Sequence, residues 1–229
     1  MKVIILAGGF GTRLGKATKK TPKPLVKVSG KPIISHIMDH YKKFGFEEFV
    51  VLSGYKHSVV KKYFKNNKKV KVIYTGLKTF TGGRLKRVEN IIDRNENFFL
   101  TYGDAVSNVD LNKLLKLHKL NKSIITVTAV NPDTKYGLLE ITNNKKVKKF
   151  QEKPKFRDKW ISGGFFIMNQ KIFKFIANDK TILEREPFEK IASKNKFFAL
   201  KHNKFWACMD TPRDLNFLKN YWSKYKKFS

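Results

Sequence analysis

The sequence predicts a Rossmann-like α/β fold, in which a mostly parallel sheet is flanked by helices and carries a small antiparallel subregion. Two observations predict this class: short apolar runs alternate with helical segments up to about residue 130, and closely spaced strand-like runs without a long helix follow. Hydrophobic residues make up 41% of the 229 residues, enough for a core, and no linker divides the chain. We therefore expect one domain over residues 1–229, with a first half, 1–130, and a second half, 131–229.

The first half contains the clearest periodic patterns. Apolar runs rich in β-branched residues predict buried strands, and amphipathic segments between them predict helices, so βαβ units should form a mostly parallel sheet. The predicted strands are Lys2–Ala7, Phe49–Leu52, Val70–Tyr74, Phe98–Tyr102 and Ser123–Val130. The predicted helices are Pro32–Phe44, Ser58–Phe64, Gly83–Ile92 and Leu111–Leu120.

The second half has a different texture. Three strand-like runs, Leu138–Thr142, Val147–Glu152 and Ile161–Met168, follow one another without room for a long helix. Such spacing is typical of antiparallel strands. A basic, aromatic segment from about Pro212 to Lys226 predicts a closing helix.

The formal net charge of +31 allows two interpretations. A nucleic-acid-binding protein would use lysine and arginine to neutralise phosphates. However, only seven of the 49 basic residues are arginine, the side chain that suits base edges and bidentate phosphate contacts, and the lysines are scattered. We favour lysines spread over solvated faces, with a modest attraction for polyanionic substrates, and expect no nucleic-acid partner.

Cysteine and histidine placement disfavours several kinds of site. Cys208 is the only cysteine, which excludes an intramolecular disulfide, and we expect it to be a small buried hydrophobe. His36 and His40 have i,i+4 spacing, but Ile37 stands where a metalloprotease helix has glutamate, so we interpret both as ordinary helix residues. The apolar run Val3–Ala7 is too short for a signal peptide, and no stretch approaches a membrane span. We expect a cytoplasmic protein without a membrane partner.

A glycine-rich segment follows the first predicted strand directly. Glycines let the backbone approach a ligand and point successive N–H groups at one place, although neither common phosphate-loop spacing is present. Arg13 follows immediately, and Lys23 lies between two prolines, so two cations flank the segment. This arrangement suits a triphosphate whose α-phosphorus must be made electrophilic. The candidate phosphate-binding residues are Leu6, Ala7, Gly8, Gly9, Phe10, Gly11, Thr12, Arg13 and Lys23.

The pattern L-A-G-G-x-G-T-R-L followed by K-P resembles the signature of the sugar-phosphate nucleotidyltransferases. The chain is similar to the glucose-1-phosphate cytidylyltransferases in particular, and the likeness covers nearly its whole length. Five further motifs stand in the order of that family. They are TGL through TGGRLKR (75–87), FLTYGD (99–104), FQEKPK (150–155), GGFF (163–166) and FW with MDT (205–211).

The resemblance implies roles for individual residues. The first half would bind CTP and the second a sugar 1-phosphate, with Asp104 and Asp210 sharing one Mg²⁺ and Lys153 holding the incoming phosphate. It also implies a homo-oligomer. All reactants are anions and the sugar phosphate is already ionised, so positioning and charge neutralisation suffice without a general base. The other implied contacts are Thr79, Arg84 and Gly103 for the nucleotide, and Gly137 and Glu152 for the sugar hydroxyls.

Each of these residues also has an ordinary structural interpretation. Asp104 could be a turn or helix-cap aspartate, and Asp210 could cap a helix that starts at Pro212. Lys153 lies beside a proline, where plain surface loop is usual, and Arg84 could be surface charge at a solvated helix start. The family context favours the functional roles. A transferase using dTTP, UTP or GTP, and a basic nucleic-acid-binding protein on the same fold, remain alternatives.

The chain departs from the family pattern in four places. It lacks a long excursion before Thr75, where the familiar cytidylyltransferases approach the nucleotide site and a subunit contact. Ala105 replaces the glycine after the metal aspartate, Ser162 replaces an asparagine, and 183–187 (LEREP) replaces a segment that usually begins with tryptophan. The last two changes lie on the expected sugar side, where a lost amide alters hydroxyl recognition. They leave the identity of the sugar open.

Overall fold

The computed structural model describes residues 1–132, 137–152 and 159–225. Its strands, in chain order, are β1 Val3–Ala7, β2 Lys27–Val28, β3 Lys31–Pro32, β4 Phe49–Ser53, β5 Val70–Tyr74, β6 Asn97–Tyr102, β7 Ala105–Ser107, β8 Ile125–Val130, β9 Leu138–Ile141, β10 Val147–Gln151, β11 Ile161–Asn169, β12 Phe197–His202 and β13 Trp206–Cys208. Its α-helices are α1 Lys16–Lys19, α2 Ile33–Lys42, α3 His57–Tyr63, α4 Thr81–Lys86, α5 Leu111–Leu120, α6 Glu186–Ser193 and α7 Pro212–Tyr225.

Seven strands form the central sheet, in the order β12-β8-β11-β6-β1-β4-β5. Neighbouring strands are parallel except at β11, which is antiparallel to both β6 and β8. The predicted Rossmann-like, mostly parallel sheet is therefore confirmed. Its parallel core strands are continuous apolar runs because both faces of the sheet are covered.

The hydrophobic core lies on both sides of this sheet. Along β1 the side chains alternate, so that Val3 and Ile5 pack on one face and Ile4 and Leu6 on the other, all of them buried. Helices α2, α5 and α7 contribute to the first face, whereas α4 and α6 contribute to the second. No helix in the described ranges is both long and apolar enough to cross a membrane.

Three two-stranded sheets accompany the central sheet in the described residues, and one of them pairs β2 with β3. Strands β7 and β13 pair antiparallel, with Ala105 opposite Cys208, and β9 and β10 form an antiparallel hairpin with an exposed surface. The hairpin corresponds to the antiparallel subregion that the sequence predicts. Strand β12, helix α6 and the short strands β7 and β13 were not predicted, because short or half-buried segments carry weak periodicity.

The helix predicted over Gly83–Ile92 is wrong in its bounds. Helix α4 begins at Thr81 and ends at Lys86, and a separate 3₁₀ turn follows at Glu89–Ile91. The early start has a physical cause, because the N–H groups of Gly82 and Gly83, which a helix start leaves unpaired, donate to the carbonyl oxygen of Thr181. A distant segment thus decides where the helix begins.

His118 predicts a pH-dependent stability. This residue of α5 has a buried side chain, with Nδ1 2.9 Å from Thr126 Oγ1 of β8, and burial lowers the pKa of His118 from 6.5 to about 4. The folded state therefore resists a proton that the unfolded state binds below pH 6.5. The resulting stability is present above pH 6.5 and is lost as pH falls toward 4. We expect the free energy of unfolding to decrease by about 2–3 kcal/mol from this residue alone over that window.

Urea unfolding of wild type and His118→Gln between pH 8 and pH 4 measures this contribution. At pH 8 the variant should have a lower free energy of unfolding than wild type. Its free energy of unfolding should then fall less steeply as the pH is lowered, since the glutamine side chain does not titrate. Parallel stability curves for the two proteins would contradict the assignment.

Candidate active site

A cleft of about 850 Å³ opens at the carboxyl ends of β1 and β6. This is the edge of an open α/β sheet where ligands usually bind. All twelve residues predicted to contact the nucleotide line this cleft, together with Asp104 and Asp210. The lining residues are Leu6, Ala7, Gly8, Gly9, Phe10, Gly11, Thr12, Arg13, Lys23, Pro24, Leu77, Lys78, Thr79, Phe80, Thr81, Arg84, Tyr102, Gly103, Asp104, Lys180 and Asp210.

The glycine-rich segment has its shape because two positions exclude side chains. Gly11 lies in the left-handed region at φ 66°, and a Cβ there would approach Lys23 Cβ to 2.9 Å. A Cβ on Gly8 would lie 2.2 Å from a guanidinium nitrogen of Arg84. Thr18 closes the segment by donating its hydroxyl to the Gly11 carbonyl at 2.9 Å. The glycines therefore permit close packing of two cationic side chains against the backbone.

Arg84 is a brace beneath the loops and not a surface charge. It is only 5% exposed, so the solvated interpretation is wrong. One terminal nitrogen donates to Thr75 Oγ1 and to the Gly76 carbonyl, both at 2.8 Å, and lies 3.5 Å from the Ser53 carbonyl. The other donates to the Gly8 carbonyl at 3.1 Å. One guanidinium thus ties together the chain segments that follow β1, β4 and β5.

Asp104 and Asp210 lie 106 positions apart in sequence, yet the β7–β13 pairing brings them side by side. The main-chain N–H of Met209 donates to the Asp104 carbonyl at 2.9 Å, which continues the ladder one step beyond the strands. Asp104 stands in the turn between β6 and β7, and Asp210 lies two residues after the end of β13. A short hydrogen-bonded ribbon therefore fixes the spacing of the two carboxylates.

The ammonium group of Lys23 lies between these carboxylates. Lys23 Nζ is 2.5 Å from Asp104 Oδ2 and 2.6 Å from Asp210 Oδ1, and an Arg13 guanidinium nitrogen is 3.1 Å from the same Asp210 oxygen. Burial alone would lower the pKa of Lys23. The charge of Asp104 and hydrogen bonds with both aspartates outweigh burial and raise that pKa above 10.5. Lys23 therefore remains charged throughout the neutral range.

The side chain of Arg13 is far more exposed to solvent than that of Lys23. Its side chain is 72% exposed, whereas that of Lys23 is 14% exposed. The Arg13–Asp210 pair is consequently weak, because exposed ion pairs contribute little. An anion entering the cleft can recruit Arg13 without dismantling a buried contact.

The helix-cap alternative for Asp210 is wrong. Thr211 caps α7, because its main-chain N–H and its hydroxyl donate to Asp214 Oδ2 at 2.8 and 2.9 Å, and the Asp214 N–H donates back to Thr211 Oγ1 at 3.3 Å. The Asp210 side chain is left to face Lys23 and Arg13. Its main-chain N–H also donates to Asp214 Oδ2, at 3.1 Å, which anchors the turn.

Cys208 is not the simple buried hydrophobe that the sequence predicts. It is half-buried, and its sulfur belongs to a cluster with Asp104 and Asp210 whose candidate ligand atoms lie within 4.8 Å of one another. Burial, followed by the charges of the two aspartates, raises the pKa of the Cys208 thiol. It therefore stays protonated at neutral pH. The strand pairing that joins the aspartates explains its position, and nothing in the sequence indicates it.

Tyr102, a residue of the cleft wall, and its hydrogen-bond partner Glu184 were missed as candidates. Tyr102 ends β6 inside a quoted motif and lines the cleft, and its hydroxyl donates to a Glu184 oxygen. The other Glu184 oxygen accepts from the Thr81 hydroxyl at 2.6 Å. No local pattern links residues so far apart in the chain. Their proximity follows from tertiary packing alone.

The residues predicted for the sugar lie elsewhere. Gly137 and Glu152 are at the open end of the β9–β10 hairpin and do not line the cleft. A Cβ on Gly137 would approach a Phe150 ring carbon to 2.6 Å and Glu152 Oε2 to 3.2 Å, so these three residues are neighbours. Lys153 lies outside the described residues.

Comparison with known proteins decides the family. The model of the family described as "Nucleotidyl transferase" matches residues 2–223. The chain belongs to this family. It is 39% identical to the glucose-1-phosphate cytidylyltransferase of Salmonella typhimurium, over 99% of this chain and 97% of that protein. It is also 35% identical to a probable mannose-1-phosphate guanylyltransferase 2 of Oryza sativa subsp. japonica, over 93% of this chain and 62% of that protein.

A solved structure shares the fold of this nucleotidyltransferase. HddC from Yersinia pseudotuberculosis superposes with a TM-score of 0.75 at 24% sequence identity, covering 96% of this chain and 99% of that one. The identity is low, so this likeness concerns the fold.

The donor set between the two aspartates suits a divalent cation. Two carboxylates converge on one positive charge, that of Lys23, at 2.5 and 2.6 Å. Oxygen ligands of this kind favour a hard cation such as Mg²⁺. The ammonium group and a metal ion would compete for the same oxygens.

This competition predicts the effect of removing the Lys23 charge. In the absence of nucleotide, Lys23→Met should bind Mn²⁺ about tenfold more tightly than wild type, since the carboxylates lose their internal cation. Electron paramagnetic resonance of free Mn²⁺ measures the affinity. Lys20→Met, an exposed lysine three residues away, should leave the affinity unchanged. Equal affinity in all three proteins would show that Lys23 does not compete.

Proposed function

We propose that this nucleotidyltransferase transfers the cytidylyl group of CTP to a sugar 1-phosphate, glucose 1-phosphate or a relative, and releases pyrophosphate. The observation that carries the proposal is the convergence of the glycine-rich segment, two cations and two carboxylates on one cleft. The 39% identity to a named glucose-1-phosphate cytidylyltransferase, over 99% of this chain and 97% of that protein, supports the choice of base and sugar class.

The proposed reaction is an in-line displacement at the α-phosphorus. A phosphate oxygen of the sugar 1-phosphate forms the new P–O bond, while the bond between the α-phosphorus and the bridging oxygen breaks. Pyrophosphate leaves with that electron pair, and no proton has to be removed from the nucleophile. Arg13 and Lys23 would neutralise charge on the triphosphate and on the leaving group. The main-chain N–H groups of residues 8–12 would orient the triphosphate.

Asp104 and Asp210 would hold a Mg²⁺ ion in this proposal. Bound there, the metal would supply positive charge near the triphosphate and lower the repulsion between the anionic reactants. Lys23 already contacts both carboxylates, so its ammonium group would have to shift toward the phosphates when the ion binds. Gly103, at the turn before Asp104, lines the cleft and would let the nucleotide approach the end of β6.

The sugar side of the proposal rests on Gly137, Glu152 and Lys153. Glu152 would accept hydrogen bonds from sugar hydroxyls, and Lys153 would pair with the incoming phosphate. On the nucleotide side, Thr79 is 8% exposed, lines the cleft and would contact the nucleotide. A homo-oligomer acting in the cytoplasm completes the proposal, and light scattering tests its assembly.

Pyrophosphate release tests the function directly. With Mg²⁺ and a panel of sugar 1-phosphates, we expect release with CTP and much less with dTTP, UTP or GTP. The sugar giving the highest rate identifies the product. Equal rates with all four nucleotides would overturn the choice of base, and no release with any pair would overturn the transferase proposal.

Arg13→Ala should lower turnover about a thousandfold, because it removes a cation that stabilises the triphosphate in the transition state. The protein should stay folded, since Arg13 is largely exposed and its ion pair is weak. Arg94→Ala, another exposed arginine, is the matched control and should keep full activity. Near-normal turnover of Arg13→Ala would remove Arg13 from the mechanism.

A basic nucleic-acid-binding protein on this fold is the competing function, and the net charge of +31 favours it. It predicts salt-sensitive binding to random duplex DNA without pyrophosphate release. A transferase predicts the opposite result. It should release pyrophosphate, and this release should persist at salt concentrations that abolish any binding to DNA.

A further inference from the structure

A segment of the second half lies along the part of the chain predicted to contact the nucleotide. Residues 179–184, here called the strap, join the turn after β11 to helix α6. Residues 79–84, the TGG segment, lie against it. The N–H of Phe80 donates to the Asp179 carbonyl at 2.9 Å, and that of Gly82 donates to the Thr181 carbonyl at 3.0 Å. The strap therefore supplies main-chain partners that the TGG segment lacks within itself.

The two glycines of the TGG segment are explained by the strap. A Cβ on Gly83 would lie 2.4 Å from Asp179 Cα, and one on Gly82 would lie 2.8 Å from the Thr181 carbonyl oxygen. Both distances are far below van der Waals contact. The two glycines thus allow the backbone of the TGG segment to touch the backbone of the strap. Their lack of a side chain is explained by this contact within the protein.

Glu184, at the end of the strap, uses its two carboxylate oxygens for different partners. One accepts from the Thr81 hydroxyl at 2.6 Å, and the other accepts from the Tyr102 hydroxyl. Thr81 Oγ1 in turn accepts from the Leu183 N–H at 2.9 Å, so both strap and TGG segment are held at this point. A single side chain consequently links α4 to the end of β6.

Tyr102 connects this link to the cleft. Its ring packs over Gly164, where a Cβ would approach Tyr102 Cδ2 to 2.6 Å, and against the Phe166 ring at 5.9 Å. Tyr102 stands two residues before Asp104 and lines the cleft with it. The hydroxyl of Tyr102 is the donor in its hydrogen bond with Glu184, because a carboxylate can only accept.

We propose that Glu184 is a positioning residue that couples the nucleotide side of the cleft to the catalytic wall at Tyr102–Asp104. This inference rests on the proposed function. Through Thr81, the carboxylate holds the TGG segment, and through Tyr102 it holds the strand end that carries Asp104. Loss of either acceptor lets the two walls move independently, so nucleotide affinity falls and the bound nucleotide is no longer aligned for transfer.

Glu184→Gln tests the coupling with minimal change of shape. The amide offers one acceptor oxygen where two donors need one each, so one link must break or reorient. We expect the KM for CTP to rise about tenfold and kcat to fall by a similar factor, with the KM for the sugar phosphate little changed. Glu186→Gln makes the same chemical change two residues further on, in an exposed i,i+4 pair with Lys190, and should match wild type.

The single-donor variants Tyr102→Phe and Thr81→Val extend the test. If Glu184 transmits the coupling, the effects of the two substitutions on the KM for CTP should be non-additive in the Glu184 protein and additive in the Glu184→Gln protein. Additive effects in both backgrounds would overturn the proposal. So would Glu184→Gln and Glu186→Gln with equal kinetics, or a loss confined to thermal stability.

Amide hydrogen exchange separates failure of this proposal from failure of the proposed function. The measurement needs no substrate. Glu184→Gln should speed exchange in residues 79–84 relative to wild type and Glu186→Gln, because an anchor of that segment is weakened. If the wild-type protein releases no pyrophosphate, the proposed function fails. The exchange result still tests the link that Glu184 makes between Thr81 and Tyr102. Unchanged exchange would overturn the link whatever the activity.

Discussion

The site depends on one electrostatic arrangement, in which the Lys23 ammonium group is held between Asp104 and Asp210 at 2.5 and 2.6 Å. Two carboxylates this close repel each other unless a cation lies between them. The chain supplies that cation itself, and Lys23 keeps its charge because the attraction outweighs burial. A metal ion takes its place more readily when a second group of anions accepts the displaced lysine. A triphosphate in the cleft would meet that requirement, so metal binding and nucleotide binding are expected to favour each other.

Backbone contacts make this arrangement possible. The β7–β13 ribbon fixes the separation of the aspartates, and Thr211 caps α7 so that the Asp210 carboxylate stays available. Arg84 acts in the same way on the opposite wall. It draws the Gly8 carbonyl toward itself, and because a trans peptide points its C=O and N–H in opposite directions, the Gly9 N–H points away from the guanidinium. A buried cation thereby orients backbone donors without occupying the ligand's position itself.

Sequence alone predicted the sheet, and the residues that it assigned to the nucleotide lie together in one cleft, for a physical reason. Strands such as β1 are continuous apolar runs, and a glycine-rich turn after a buried strand is local in sequence, so the pattern and the geometry coincide. The bounds of α4 and the environment of Cys208 were predicted wrongly, because Thr181 and the β7–β13 pairing determine them from far along the chain. The contact between Tyr102 and Glu184 was not predicted for the same reason. Lys153, Gly137 and Glu152 stay predictions carried by resemblance.

The TGG segment has two structural roles, because it lines the cleft and also packs against the strap. Thr79 and Arg84 line the cleft, which is the reason to connect the segment with the nucleotide. Gly82 and Gly83, however, lack side chains because Thr181 and Asp179 lie against them. A substitution at either glycine would therefore act first on the contact between the two halves and only through it on the cleft. A cleft wall built from both halves cannot be altered on one side without consequences on the other.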